Sequence, residues 1–163
     1  SGLVGSEMCI RDRSTFMMTS IFASFTTNAA APVTAQFNVT IKVNESCKFD
    51  SANDVNFADI DRSTDVNKTA EGKLNITCTL GTPYQVALAG NGKMTNTADT
   101  TSTIAYNLYQ DPAYAKNWDD SKNLLSNAGS GTSQALPVYA KLAGNTNVKA
   151  GNYSDTVTAT VTY

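Results

Sequence analysis

Three cysteines, a scatter of carboxylates and one tryptophan are the residues of this 163-residue chain with chemistry beyond packing, and histidine is absent. Without imidazole the chain lacks the commonest general base near neutral pH and the commonest metal ligand. Its 14 acidic residues lie in turn-like stretches with no repeated spacing, so a histidine-free carboxylate-pair or Ser-Lys enzyme is a formal alternative only. Asp111, Asp119 and Asp120 match no EF-hand loop, and calcium usually takes six or more oxygens, so they read as solvated turn residues. Trp118, set among Asn117, Asp119 and Asp120, suits either a sugar-stacking platform or a loop anchor packed on the edge of a sheet; the anchor is favoured. No metal and no cofactor are implied, and the chain is read as a non-enzyme.

The formal net charge is −2, and no Lys/Arg cluster is placed to neutralise a run of phosphates, which argues against nucleic acid as a partner. Polarity comes mostly from Thr, Asn and Ser, a mixture that favours strands and turns over helices. Residues 16–25, FMMTSIFASF, followed by Ala29-Ala30-Ala31, read as the apolar region and cleavage site of a secretory signal, too short to span a bilayer as a mature helix. Upstream, SGLVGSEMCIRDR at 1–13 has neither a compact positive start nor any periodicity and resembles read-through from adapter sequence. Residues 1–31 are therefore expected to be a non-native leader plus signal peptide, and the domain is expected over 32–163.

With Cys9 set aside, Cys47 and Cys78 remain in a chain read as exported to an oxidising compartment, where they are expected to bond to each other. Closing a loop of about thirty residues stabilises a fold by about 3–4 kcal/mol in the chain-entropy account. Parity agrees. Phe37, Val39, Ile41 and Val43 alternate with polar residues and share the odd phase of Cys47, while Leu74, Ile76, Cys78 and Leu80 alternate with Asn75, Thr77 and Thr79. If the first strand runs unbroken, both cysteines face inward.

Further period-two runs occur at Tyr84, Val86 and Leu88, at Ile104, Tyr106 and Leu108, at Leu136, Val138, Ala140 and Leu142, and at Tyr153, Val157, Ala159, Val161 and Tyr163. Turn-rich stretches such as Gly90-Asn91-Gly92 separate them. The sequence predicts about six strands, in 32–48, 72–80, 84–90, 102–109, 136–143 and 153–163, with 49–71 and 111–133 as irregular excursions. That pattern points to an all-β sandwich of immunoglobulin type, one strand short of seven. Residues 32–43, PVTAQFNVTIKV, read either as an ordinary first strand or as a donor that completes a neighbouring subunit by strand addition. Periodicity alone does not choose between these.

IAYNLYQD at 104–111, Trp118-Asp119, LPVYAKL at 136–142 and the closing GNYSDTVTATVTY, together with Cys47 and Cys78, resemble the spore coat protein U domain family, which includes subunits of archaic chaperone–usher pili. The resemblance covers essentially all of 32–163. It implies an incomplete immunoglobulin-like pilin, its seventh strand supplied in trans, exported through the periplasm to the cell surface. It implies as partners a periplasmic chaperone, an outer-membrane usher and other pilin subunits in a homo- or heteropolymer, without membrane insertion of the mature chain. The expected donor residues are Phe37, Val39, Ile41 and Val43. The expected acceptor groove, assigned by parity, is Ile76, Val86, Leu88, Ile104, Val138, Leu142, Val157 and Val161. The chaperone is expected to engage the C-terminal strand through Val157, Ala159, Val161 and Tyr163.

A shaft or minor subunit is expected rather than a tip adhesin, since the chain leaves no room for a separate receptor-binding domain. The segment before Cys47 is short for both a donor and a separate first strand, so the two are expected to share residues 36–45. Five Asn-x-Ser/Thr triplets, at Asn38, Asn44, Asn67, Asn75 and Asn152, are chance products of an Asn- and Thr-rich chain rather than glycosylation signals. The alternative of a different class is a self-complete secreted sandwich that binds carbohydrate through Trp118 and the 111–133 loop.

Overall fold

The computed structural model of the chain describes residues 30–62 and 67–163; the leader and signal expected over 1–31 lie outside the described residues but for the last two. Contacts divide the chain into two units between Thr40 and Ile41. In the first, residues 30–40 are exposed and carry no strand.

The second unit is all β. Among the described residues it holds β1 (Cys47–Asn53), β2 (Thr69–Cys78), β3 (Pro83–Ala89), β4 (Lys93–Asn96), β5 (Thr103–Tyr109), β6 (Leu125–Ala128), β7 (Ser133–Leu142), β8 (Tyr153–Ser154) and β9 (Thr158–Thr162). They form two antiparallel sheets, one of six strands in the order β1-β2-β7-β5-β4-β8 and one of three in the order β6-β3-β9. The large sheet is built on β2 and β7, whose ladder runs from Thr69 opposite Lys141 to Thr77 opposite Ser133. Both strands alternate apolar and polar residues, so one pleated face is buried and the other wetted. Glycine supplies the turns that need a left-handed backbone, as at Gly81 (φ 80°) after β2.

The inner faces meet in a core of Leu74, Ile76 and Cys78 from β2, Tyr84, Val86 and Leu88 from β3, and Leu136 and Val138 from β7, with Trp118 from the loop after β5. Further along the large sheet, Ile104, Tyr106 and Leu142 make a second buried cluster. The small sheet does not cover it. Phe57, Ile60, Met94, Val148 and Tyr153 pack there instead.

Several expectations need correcting. The alternating run at 37–43 is not a strand, and pairing begins only at Cys47. Side-chain phase records which face a residue would present; a strand also needs a neighbour to accept its hydrogen bonds. The 49–71 excursion contains most of β1 and the start of β2, and the 111–133 excursion contains β6. Their irregular composition hides them because short edge strands bury few side chains. The run at 153–163 is broken into β8 and β9 around Asp155. Leu80 does not share the burial of Cys78; it is 76% exposed, because the chain has already turned toward Gly81.

Candidate functional site

Cys47 and Cys78 are direct partners in the β1–β2 register and are joined by a disulfide. The bond sits where the exposed segment joins the sheet. One residue earlier, the Thr79 amide donates to the Ser46 carbonyl at 2.9 Å, and the Ser46 amide donates to Thr79 Oγ1 at 3.1 Å. Upstream of this clamp Ile41 and Val43 are 89% and 72% exposed.

The last strand is the other half of the site. β9 pairs with β3 from Ala89 opposite Thr158 to Gln85 opposite Thr162. On its other side it has no strand neighbour among the described residues. The consequence is visible side chain by side chain. On β3, Val86 and Leu88 are 0% and 5% exposed, whereas Val157, just before β9, is 36% exposed, and Ala159 and Val161 are half-buried.

Asp155 fixes the approach to β9. Its carboxylate accepts from the Tyr106 hydroxyl at 2.7 Å, the Asn91 amide at 2.9 Å, Asn91 Nδ2 at 2.7 Å and the Thr156 amide at 2.9 Å. Burial pushes this carboxyl up, but the bonds from Tyr106, Asn91 and Thr156 outweigh it and hold it below the usual carboxylate range. The same pair pushes the Tyr106 hydroxyl well up, through burial first, then its hydrogen bond to Asp155, then that carboxylate's charge. The chain turns at Gly90 directly beneath: a Cβ there would lie 2.9 Å from Val157 Cγ2 and 3.1 Å from the Tyr106 hydroxyl.

Between β9 and the end of β1 lies an open cavity of about 450 Å³, walled by residues 52–57 on one side and 153–159 on the other. Its floor is apolar, with Leu74, Leu88, Leu108 and Val138. A second cavity of about 600 Å³ continues it past Val55, Phe57, Met94 and Tyr153 toward Ile104, Leu142 and Val148. The two share those four walls and Asn56 and form one groove along the uncovered side of the sheets.

Of the residues expected in the groove, Leu88, Val138 and Val157 line the first cavity and Ile104 and Leu142 the second. Ile76 and Val86 are fully enclosed in the core at 0% exposure, and Val161 packs against that core without lining either cavity. Val55, Phe57 and Ile60 went unforeseen, because they lie in the stretch read as irregular. Their signal was the alternation of Val55 and Phe57 with polar neighbours.

The residues around Trp118 form no surface site. Trp118 is 3% exposed; its backbone amide donates to Leu108 on β5 at 2.8 Å and its indole Nε1 donates to the Val86 carbonyl on β3 at 2.8 Å. It ties the two sheets together and offers no ring face to a sugar, which removes the stacking platform. Asp119 caps its own loop, accepting from the amides of Ser121, Lys122 and Asn123, and Asp111 does the same for Ala113, Ala115 and Lys116. These bonds hold both carboxyls below the usual range. Among the described residues no group of three or more potential ligands is placed to hold a metal ion.

The profile of the Spore Coat Protein U domain matches residues 33–160. The chain belongs to the spore coat protein U domain family. No curated protein matches this spore coat U domain. Among solved structures it is similar to a chain of the CsuC–CsuE chaperone–tip adhesion subunit pre-assembly complex from the archaic chaperone–usher Csu pili of Acinetobacter baumannii. The identity is 22%, the TM-score 0.54, and the match covers 74% of this chain and 40% of that one. It is also similar to a chain of a chaperone–tip adhesin complex of CFA/I fimbriae biogenesis, at 14% identity and a TM-score of 0.44, over 73% of this chain and 41% of that one. The first likeness is one of fold, an all-β domain of two antiparallel sheets.

Proposed function

We propose that this spore coat U domain is a structural subunit of an archaic chaperone–usher pilus and polymerises by donor-strand exchange. The observation that carries the reading is the uncovered flank of β9: Val157 is 36% exposed beside a core strand whose Val86 is 0% exposed, and the apolar groove runs along that flank. A free strand edge over an apolar floor is a template for one more strand.

The proposed filler is the segment of a neighbouring subunit that carries Phe37, Val39, Ile41 and Val43. These are 85%, 88%, 89% and 72% exposed and lie on one phase of an extended chain. Inserted beside β9, alternate side chains would face the groove while the backbone took up the vacant ladder. Burying four such side chains contributes about 6–12 kcal/mol as an upper estimate, comparable with the whole stability of a domain at about 5–15 kcal/mol. Before assembly, a periplasmic chaperone would lend the missing strand along Val157, Ala159, Val161 and Tyr163. An outer-membrane usher would then hand the subunit to the growing fibre at the cell surface. The role is structural, with no chemical step and no cofactor, in adhesion and biofilm growth.

The test is deletion of residues 32–41. The truncated subunit should still bind its chaperone and accept a donor, yet fail to donate to the next subunit, so that polymers stop where it is incorporated. Equal polymerisation of truncated and intact chains would refute the proposal, and so would a chaperone-free monomer that stays soluble with its groove already filled.

A further inference from the structure

We infer that residues Val55–Ile60 form a strap, held by side chains alone, that covers the far compartment of the groove in the unassembled subunit and has to yield when a strand comes in. The inference rests on the strand-exchange reading and adds to it a local barrier within the acceptor.

The strap begins with a crossing. At the end of β1 the chain leaves the sheet edge and passes over Gly72, on the inward phase of β2. A Cβ at Gly72 would lie 2.8 Å from the Asn53 carbonyl oxygen, 2.8 Å from Val55 Cγ2 and 3.2 Å from the Val55 amide nitrogen. Only the missing side chain lets the backbone through at this point. Beyond it, Val55, Phe57 and Ile60 are half-buried while Asn56, Ala58 and Asp59 are exposed. Phe57 and Ile60 pack on Ile104, Tyr106 and Leu142, the part of the large sheet that the small sheet leaves bare.

The strap fills the place of a strand without being one. Among the described residues no strand pairs with 54–60, and no backbone–backbone hydrogen bond ties it to a neighbour. Its regular course is broken at Ala58, whose φ of 58° lies in the left-handed region that a residue with a Cβ seldom adopts; the Ala58 amide turns back to Asn56 Oδ1 at 2.8 Å. The strap is pinned past its end, where Thr146 Oγ1 donates to the Asp61 carbonyl at 3.1 Å and Arg62 Nε donates to Asn147 Oδ1. A segment that buries apolar side chains but leaves its backbone outside every ladder is cheap to lift compared with a strand. The groove can therefore stay covered at its far end until a better-bonded strand displaces the cover.

The test measures the association rate of a fluorescent peptide of residues 32–45 with the full chain, comparing wild type, Phe57→Ala and Leu125→Ala. Leu125 packs on the main core from β6 and lines neither cavity, so its variant controls for general loosening. Phe57→Ala should bind the peptide at least about tenfold faster than wild type, a barrier change of about 1.4 kcal/mol, with Leu125→Ala within about threefold of wild type by the same arithmetic. If Phe57→Ala does not fold, Ile60→Ala makes the same comparison from the other end of the strap. A strap variant no faster than Leu125→Ala overturns the strap and leaves strand exchange standing. A wild-type chain that takes up no peptide at all overturns both.

Discussion

The sharpest consequence of the proposed strand exchange is that the two phases of residues 37–43 must behave differently, and Ile41 is where the size of the difference can be worked out. Its side chain is 89% exposed, so it has nearly its full transfer free energy still to gain. Ile41→Ala removes three carbons at about 0.8 kcal/mol each, and scaling by the exposed fraction leaves about 2 kcal/mol. That corresponds to about thirtyfold weaker binding. Thr40→Ala, one residue earlier and on the other phase, removes a group that stays in water, so its effect should be within about twofold, or under about 0.5 kcal/mol. The assay is a competition series in which peptides of residues 32–45, each with one alanine, displace a labelled wild-type peptide from the full chain. Losses should alternate along the series, large at Phe37, Val39, Ile41 and Val43 and small between them. Equal losses on both phases, or none at Ile41, would refute the insertion of this segment as a strand.

The disulfide closes a loop with a sequence separation of 31 residues, so Cys47→Ser with Cys78→Ser should lower stability by about 3–4 kcal/mol; a denaturant midpoint unchanged at constant m-value would contradict it. Trp118→Phe keeps an aromatic side chain but loses part of the indole's buried volume and leaves the Val86 carbonyl without its donor, which should cost at least about 1–2 kcal/mol in thermal unfolding, and sugars should leave Trp118 fluorescence unchanged in the wild type. Gly129→Ala would put a Cβ 2.2 Å from the Thr79 carbonyl oxygen and 2.8 Å from Cys78 Cβ, a collision with backbone that should cost more than about 2 kcal/mol and show as a lowered melting temperature. Asp99 is held down to about 2, chiefly by the Thr101 hydroxyl and Lys149, and Asp50, Asp111 and Asp119 are also lowered. Carboxyls lowered in the folded state bind fewer protons there than when unfolded, so their contribution is complete above the unfolded value of about 4 and fades as pH falls toward about 2. The melting temperature should be flat from neutral pH to about 5 and drop below about 4; a rise on acidification would reverse the assignment.

Much of the fold could be read from alternation because the central strands bury one face completely. Leu74, Ile76 and Cys78, Tyr84, Val86 and Leu88, and Leu136, Val138, Ala140 and Leu142 are all buried, each on the phase expected, and the cysteines bond as expected, although the unbroken strand from Phe37 that gave Cys47 its phase does not form. Alternation failed where a side chain's phase and its backbone's partner come apart. Phe37 to Val43 alternate as regularly as any strand, but an exposed segment has no ladder, and nothing within a single chain's pattern says where its partner is. The reverse error hid β6, with its sequence LSNA, since an edge strand of four residues leaves almost no apolar signature. The strap was missed for a third reason. Its three apolar anchors at Val55, Phe57 and Ile60 fit neither period, because the left-handed Ala58 changes the spacing between the second and third. Ile76 and Val86 were expected in the groove because parity tells inward from outward but not how far inward.

Both edge strands of the small sheet, β6 and β9, lack an outer strand neighbour among the described residues, but of the two only β9 borders the apolar groove. On the β6 side the chain passes straight from β6 to β7, and the crossing is stitched: the Gly129 amide donates to Thr82 and the Gly81 amide to Gly129, both at 2.8 Å, while Gln134 Nε2 reaches the Ala128 carbonyl at 3.1 Å. The side chains of Ser126, Asn127 and Ala128 on β6 stay exposed. On the β9 side, beyond the pairing with β3, the fastening seen among the described residues is at the near end, through Asp155, and it holds the start of the strand rather than its flank. A three-stranded layer cannot cover a six-stranded one, so some apolar surface is left over, and in this fold it is confined beside β9. Trp118 strengthens the confinement by bonding β5 to β3 through the middle, which keeps the sheets from sliding to share the deficit. The opening therefore lies beside β9, where the apolar groove meets a strand edge that carries no partner among the described residues.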